Sequence, residues 1–139
     1  MVTQTYWLDN GVYIKYDDQI TNDDLEYTNS IYESDNFSQP KFILHDFSEA
    51  YSVKLKKIDI LSKASSNMFV SFSSEKIAKV TQIFVVTNTK IIVSIRFYAR
   101  LMKSGSSQWD IHILPTIEMG FVLINALENV AILKSYIKG

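Results

Sequence analysis

The chain has 139 residues, 47% of them apolar and 21% charged, a net charge of −1 and no cysteine. Those totals suit one folded domain with a single sizeable core and exclude disordered and collagen-like classes. They also exclude disulfides, thiolate metal sites, a thiol nucleophile and a global field that would draw in nucleic acid. The charge is unevenly placed: residues 1–51 hold ten Asp/Glu against two Lys, and residues 52–139 hold twelve Lys/Arg against five Asp/Glu. Two solvated surfaces of opposite sign explain this; self-association as a homodimer, or a polar partner, is the sharper reading.

In chain order, Tyr6-Trp7-Leu8, then Asp9-Asn10-Gly11, then Val12 to Tyr16 reads as a hairpin, with Asn-Gly supplying the positive φ angles of a two-residue turn. Thr21 to Asp24 opens a helix, Thr21 as cap and Asp24 as the acid of a capping box. Leu25, Thr28, Ile31 and Tyr32 follow at helical spacing, and Asn36 to Pro40 ends the element. Phe42 to His45 is a short apolar strand closing at Asp46, followed by an extended connection through Tyr51, Val53 and Leu55. From Lys57 the period becomes helical, with Ile58, Leu61, Ser65, Met68, Phe69 and Phe72 on one face and Lys57, Asp59 and Lys63 outside it.

Ile83 to Val86 is apolar without alternation, as a central strand covered on both sides would be. Thr87-Asn88-Thr89 is a loop and cap for a helix over 90–103, with Ile91, Ile95, Tyr98 and Met102 on one side and Arg96, Arg100 and Lys103 on the other. Trp109, Ile111 and Ile113 alternate with Asp110 and His112, a half-buried strand. Pro115-Thr116 then starts a helix carrying Met119, Leu123, Ala126 and Leu127, and Val130 to Ile137 forms an apolar helical tail. The run MGFVLINALENVAIL is too short and too polar to span a bilayer. MVTQTYWLDNG has no signal-peptide pattern, so a soluble cytoplasmic protein is expected and the Asn36-Phe37-Ser38 triplet is not read as a glycosylation site.

The order ββαβαβαβα implies an α/β fold: a mixed, mostly parallel sheet of about five strands, an N-terminal hairpin at one edge, and crossover helices mainly on one face. The other face is expected to be partly open. Val12, Ile14, Leu44, Val85, Ile111 and Ile113 are the expected core of the sheet, with Leu25, Ile58, Leu61, Phe69, Ile95 and Leu123 from the helices. The tail, 128–139, is expected to dock on that open face or on a second subunit, because Val130, Ile132, Leu133, Tyr136 and Ile137 are too apolar for water.

This order, with ILHDFSEA at its centre, resembles the SpoIIAA-like family, the fold shared with STAS domains, and most of all its small stand-alone bacterial members. GVYIKYDDQITNDDL, FILHDFSEA, QIFVVTN and WDIHILPTIEMGFVLINAL carry the resemblance over most of residues 6–127. It implies one domain over 1–139 and a non-enzymatic regulatory or protein-interaction module. Phosphorylated family members carry Asp-Ser-Ser-Gly at a helix start a few residues after the strand-end aspartate, where helix amides stabilise a phosphate. Placing Asp46-Phe47-Ser48 on that strand end puts Lys54-Leu55-Lys56-Lys57 at the switch. The phosphoserine switch is therefore absent, and neither Ser48 nor Ser52 replaces it.

The remaining chemistry is sparse. His45 and His112 are the only histidines, expected on the same open sheet face and solvated rather than ligating. Asp46 stands where α/β folds place functional groups, although a carboxylate accepting the amides of a Ser48–Ala50 turn explains it as well. Lys54, Lys56, Lys57 and Lys63 could join Arg96, Arg100 and Lys103 in a basic patch for an anionic lipid, a nucleotide or an acidic protein; solvated helix faces are the simpler account. No phosphate loop, dinucleotide fingerprint or catalytic triad is present, and no cofactor is expected. Asp46, Ser48, Lys54, Lys56, Lys57, Arg96, Arg100 and Lys103 are thus the candidate interaction or anion-binding residues, and an unidentified protein is the expected partner. The alternative is a small carrier for a lipid or apolar molecule, whose helix-on-sheet layout resembles CRAL-TRIO-type domains. A carrier requires an apolar cavity between helices and sheet, whereas an interaction module requires an exposed apolar patch.

Overall fold

Strand β1 (Val2–Leu8) runs antiparallel to β2 (Gly11–Thr21), and β2 lies parallel to β3 (Phe42–Lys54). Strands β4 (Thr81–Val85) and β5 (Asp110–Leu114) extend the parallel set, giving one sheet in the order β1-β2-β3-β4-β5. Helices α1 (Asn22–Tyr32), α2 (Lys57–Ser73) and α3 (Thr89–Ser104) make the crossovers, and α4 (Ile117–Asn125) follows the last strand. The computed structural model describes residues 1–8, 11–32, 42–73, 79–105 and 107–125. The α/β class, the mixed sheet and the edge hairpin expected from the sequence are all present. The apolar tail and the Asn36–Pro40 stop lie outside the described residues, as do Asp9 and Asn10.

Several elements differ from the sequence-based expectation. Leu8 pairs with Gly11, so Gly11 begins β2 and is not a turn residue with positive φ. A Cβ there would run into the Phe42 ring, and close approach of the next strand is what requires glycine. Strand β3 does not close at Asp46 but runs 13 residues in all, from Phe42 to Lys54, the last part paired only with β2. The two strands thus form an arm that reaches past the ends of β4 and β5. Pairing skips between Lys15 and Asp17 and between Asp18 and Gln19, and Asp18 adopts φ 58°, a left-handed conformation that aspartate tolerates.

Caps explain where the helices start. The Asp24 carboxylate accepts from the Thr21 amide at 2.8 Å, as the capping box requires, and from the Val2 amide at 2.8 Å, which ties β1 to α1. The Thr21 hydroxyl donates to the same carboxylate rather than capping the helix. Lys56 N–H donates to Asp59 at the start of α2, Asn88 Oδ1 accepts from the amides of Lys90 and Ile91, and Thr116 Oγ1 accepts from Met119 N–H.

Two apolar layers flank the sheet. Val12, Ile14, Ile43 and Phe84 face α1–α3, together with Ile31, Ile60, Ala64, Ile91, Ile95 and Met102. Tyr13, Phe42, Leu44, Ile83 and Val85 face the other way, against Phe121 and Ile124 of α4. The second face is therefore not left open along β3 and β4. Gly120 lets α4 sit close, since a Cβ there would lie 3.2 Å from Leu44 Cδ1 and 3.4 Å from Val85 Cγ2.

Of the expected core, Val12, Ile14, Leu44, Val85 and Ile95 are buried, and Leu25, Ile111, Ile113 and Leu123 are half-buried. Ile58 and Leu61 are not core: they are 60% and 43% exposed. Helix α2 is rotated from the expected face and buries Ile60, Lys63, Ala64 and Asn67 instead. In α4 the expected Met119 is exposed, while Phe121 and Ile124 are buried. Ala126 and Leu127, and the side chains of Phe69 and Phe72, lie outside the described residues.

Candidate functional site

The arm of β2 and β3 closes over the N-terminal halves of the three crossover helices and leaves a cavity of about 80 Å³ between them and the sheet. Its floor is Tyr16, His45, Gln82 and Phe84 from the sheet; Phe47 and Val53 come from the arm, and Leu55 from the link between the arm and α2. Ile60, Lys63 and Asn67 of α2 and Ile91, Ile95 and Tyr98 of α3 form the walls. Leu25, Val53, Leu55 and Ser94 are half-buried and make the rim. This is the carboxyl end of the parallel strands, where open α/β sheets hold ligands. Asn88 fixes the roof, its Nδ2 donating to Tyr51 O at 2.9 Å while its Oδ1 caps α3.

Aromatic rings make the floor rigid. His45 stacks on Phe84 with centroids 4.7 Å apart and planes 7° from parallel, and Tyr16 packs on Phe47 at 4.5 Å. Polar groups are few and buried. Asn67 Nδ2 donates to the Tyr98 hydroxyl at 2.7 Å, and that hydroxyl donates to Gln82 Oε1 at 2.7 Å. Tyr16 OH lies 2.9 Å from His45 Nδ1. Among the described residues His45 Nε2 and Asn67 Oδ1 have no hydrogen-bond partner, a costly condition for buried polar atoms. Turning the Asn67 amide over would only exchange which end is orphaned.

Lys63 is the charged residue of the cavity. Its Nζ donates to Asn29 Oδ1 at 2.8 Å and to Leu25 O at 3.3 Å, and it stands 4.6 Å over the Tyr32 ring. Both acceptors are neutral, so burial pulls its ammonium down to about 7. Burial, helped by the Lys63 charge, pulls His45 down to about 3, so that imidazole is neutral. Burial holds the hydroxyls of Tyr16, Tyr32 and Tyr98 well above the ordinary tyrosine range.

The residues singled out in the sequence fall elsewhere. Asp46 is buried on the α4 face, within β3 rather than at its end; it accepts from Tyr13 OH at 2.5 Å and from the Ser48 amide at 3.0 Å. Both contacts favour the structural account of that carboxylate. Ser48, Lys54, Lys56 and Lys57 are exposed, as are Arg96, Arg100 and Lys103. Because α2 and α3 both run back along the sheet, Lys54, Lys56 and Lys57 stand at one end of the helical layer and Arg100 and Lys103 at the other. Lys63, grouped with them by sequence, is buried and belongs to the cavity.

His45 is 4% exposed and faces the helices, whereas His112 sits beside Ile83 on the α4 face, so the two do not share an open surface. Of the cavity residues, Asn67 and Gln82 were not singled out by sequence, Lys63 was placed in a basic patch, and Tyr98 was placed on the apolar side of its helix. The signal was present in the 60, 63, 64, 67 spacing, which is helical and carries a lysine and an asparagine inside an apolar stripe. Comparisons with protein-family models, with curated proteins and with solved structures return no match to this chain.

Proposed function

We propose that this chain is a non-enzymatic binding domain that takes a small, largely apolar molecule between its sheet and helices α1–α3. The cavity carries the reading: it is lined by aromatic and aliphatic side chains, is open at a half-buried rim, and holds buried polar atoms that lack partners among the described residues. That combination is characteristic of small-molecule sites, where apolar surface supplies affinity and a few polar groups fix orientation. The SpoIIAA-like resemblance is compatible with it, since the sequential strand order and one-sided crossovers are the layout that resemblance implies.

Native mass spectrometry of the purified protein, followed by a thermal-shift screen of small apolar and amphiphilic molecules, tests it. A bound ligand at about 100 times its Kd stabilises by roughly 2.7 kcal/mol, which raises Tm by about 5 °C or more in a domain of this size. No adduct, and no shift from any compound, would sink the reading.

A second reading, the protein-interaction module, is favoured by one observation. Ile58 and Leu61 on α2 and Val93 on α3 are apolar and exposed on neighbouring helices. Under it, Leu61→Ser abolishes a concentration-dependent increase in mass by light scattering without lowering Tm. A monomer at every concentration, with no effect of the substitution on binding to any isolated partner, would count against it.

A further inference from the structure

We propose that the molecule held in this cavity is a small monocarboxylic acid, its carboxylate bound by the Lys63 ammonium and the His45 Nε2–H, its hydrocarbon part running toward the rim. The proposal rests on the ligand-binding reading above and adds the chemical class.

Three observations converge on it. Among the described residues no ion pair involves Lys63, whose two hydrogen-bond acceptors are neutral. A buried cation without a counter-charge is expensive, and an anion entering the cavity is what would offset that cost. Second, Tyr16 OH and His45 Nδ1 lie 2.9 Å apart in a hydrogen bond whose direction follows the tautomer; we assign the hydroxyl as donor, the tautomer that places the imidazole proton on Nε2, which has no partner among the described residues. A buried N–H without an acceptor is the rarer kind of orphan, and a carboxylate oxygen supplies the acceptor. Burial keeps His45 neutral, so the ring offers one donor and adds no second charge. Third, one ammonium and one ring N–H match a monoanion; a phosphate dianion would demand more donors than these provide.

Size sets the hydrocarbon part. The cavity, about 80 Å³, is roughly half the volume of an engineered cavity of about 150 Å³ that takes up benzene. By that comparison the enclosed part holds roughly three or four heavy atoms, the carboxylate and little more, and the rest of the hydrocarbon chain continues out past Leu25, Val53 and Leu55. The charged and ring N–H groups sit at the closed end, since Lys63 and His45 are buried, while Leu25, Val53 and Leu55 make an apolar, half-buried rim with only Ser94 polar.

Calorimetric titration of the whole chain with butyrate and hexanoate, against butyramide and hexanamide, tests the proposal. Each acid is expected to bind at least tenfold more tightly than its amide. Lys63→Met keeps the aliphatic stem and should bring the acid down to the affinity of the amide while leaving the amide unchanged. His45→Phe should weaken the acid several-fold. Equal affinity of acid and amide for the unsubstituted protein, or a preference for acid that survives Lys63→Met, overturns the proposal and leaves a neutral apolar ligand in the cavity. Failure of all four compounds to bind or to raise Tm overturns this proposal, and the ligand-binding reading falls with it only where the native mass spectrum shows no adduct and no other screened compound shifts Tm. Should Lys63→Met not fold, the acid-against-amide ratio in the unsubstituted protein decides alone.

Discussion

A lysine that ends inside a protein must either shed its proton or find acceptors for it, and Lys63 does some of each. Asn29 and the Tyr32 ring face its ammonium from α1, and neutral His45 faces it from the sheet. Its value falls from 10.5 in the free chain to about 7 in the fold. The unfolded chain therefore holds the proton more tightly between those limits, so stability rises with pH across that window and is lost as pH falls toward 7. Thermal melts should show ΔG climbing by about 1 kcal/mol per pH unit between pH 7.5 and 9.5, and Lys63→Met should flatten the climb and raise stability at pH 7. A slope unchanged by that substitution would show that the ammonium is not buried as described. His45 extends the same trend downward: from 6.5 in the free chain it drops to about 3, so stability falls as pH goes below about 6.5. On the other face, Tyr13→Phe leaves Asp46 Oδ2 without its hydroxyl donor and should cost about 1–3 kcal/mol in urea unfolding.

Helix α2 shows where pattern reading succeeds and where it fails. For α3 the apolar stripe Ile91, Ile95, Tyr98 and Met102 was legible, because the opposite side carries Arg96, Arg100 and Lys103. Helix α2 offers two apolar choices, and the buried one includes Lys63 and Asn67, which a hydrophobic pattern discards. The two rotations make opposite demands. Ile60→Ala should cost about 2–5 kcal/mol through cavity formation, and Ile58→Ala less than about 0.5 kcal/mol. Denaturant midpoints of the two variants decide between them, and a larger loss at Ile58 would restore the face expected from sequence. Strand β3 was misjudged for a related reason. It is buried on both sides through Phe47, so no alternation betrays which face His45 takes. The cavity inherited both errors, since its polar members lie on the misassigned face of α2 and on a strand without a period.

At the scale of the whole molecule, the mostly parallel sheet was readable because each of α1–α3 separates two strands and makes a crossover connection between them. The covering of the second face was not, because a helix after the last strand is free to pack on either side and only the small residue Gly120 hints at close approach. Phe121→Ala should cost about 3–5 kcal/mol, since it opens the layer over Leu44, Ile83 and Val85. A loss below about 1 kcal/mol in equilibrium unfolding would mean that α4 does not cover the sheet. The same arrangement has a consequence during synthesis. Neighbouring strands emerge in the order in which they pair, so the sheet can grow by edge addition as the chain leaves the ribosome. Its second face cannot. Leu44 precedes Ile124 by about 80 residues, so at roughly 5–20 residues per second that apolar surface waits on the order of 4–16 s for its cover. Nascent chains stalled before α4 should be the species that trigger-type holdases bind and that aggregate when those are depleted, whereas chains released after it should need no such help.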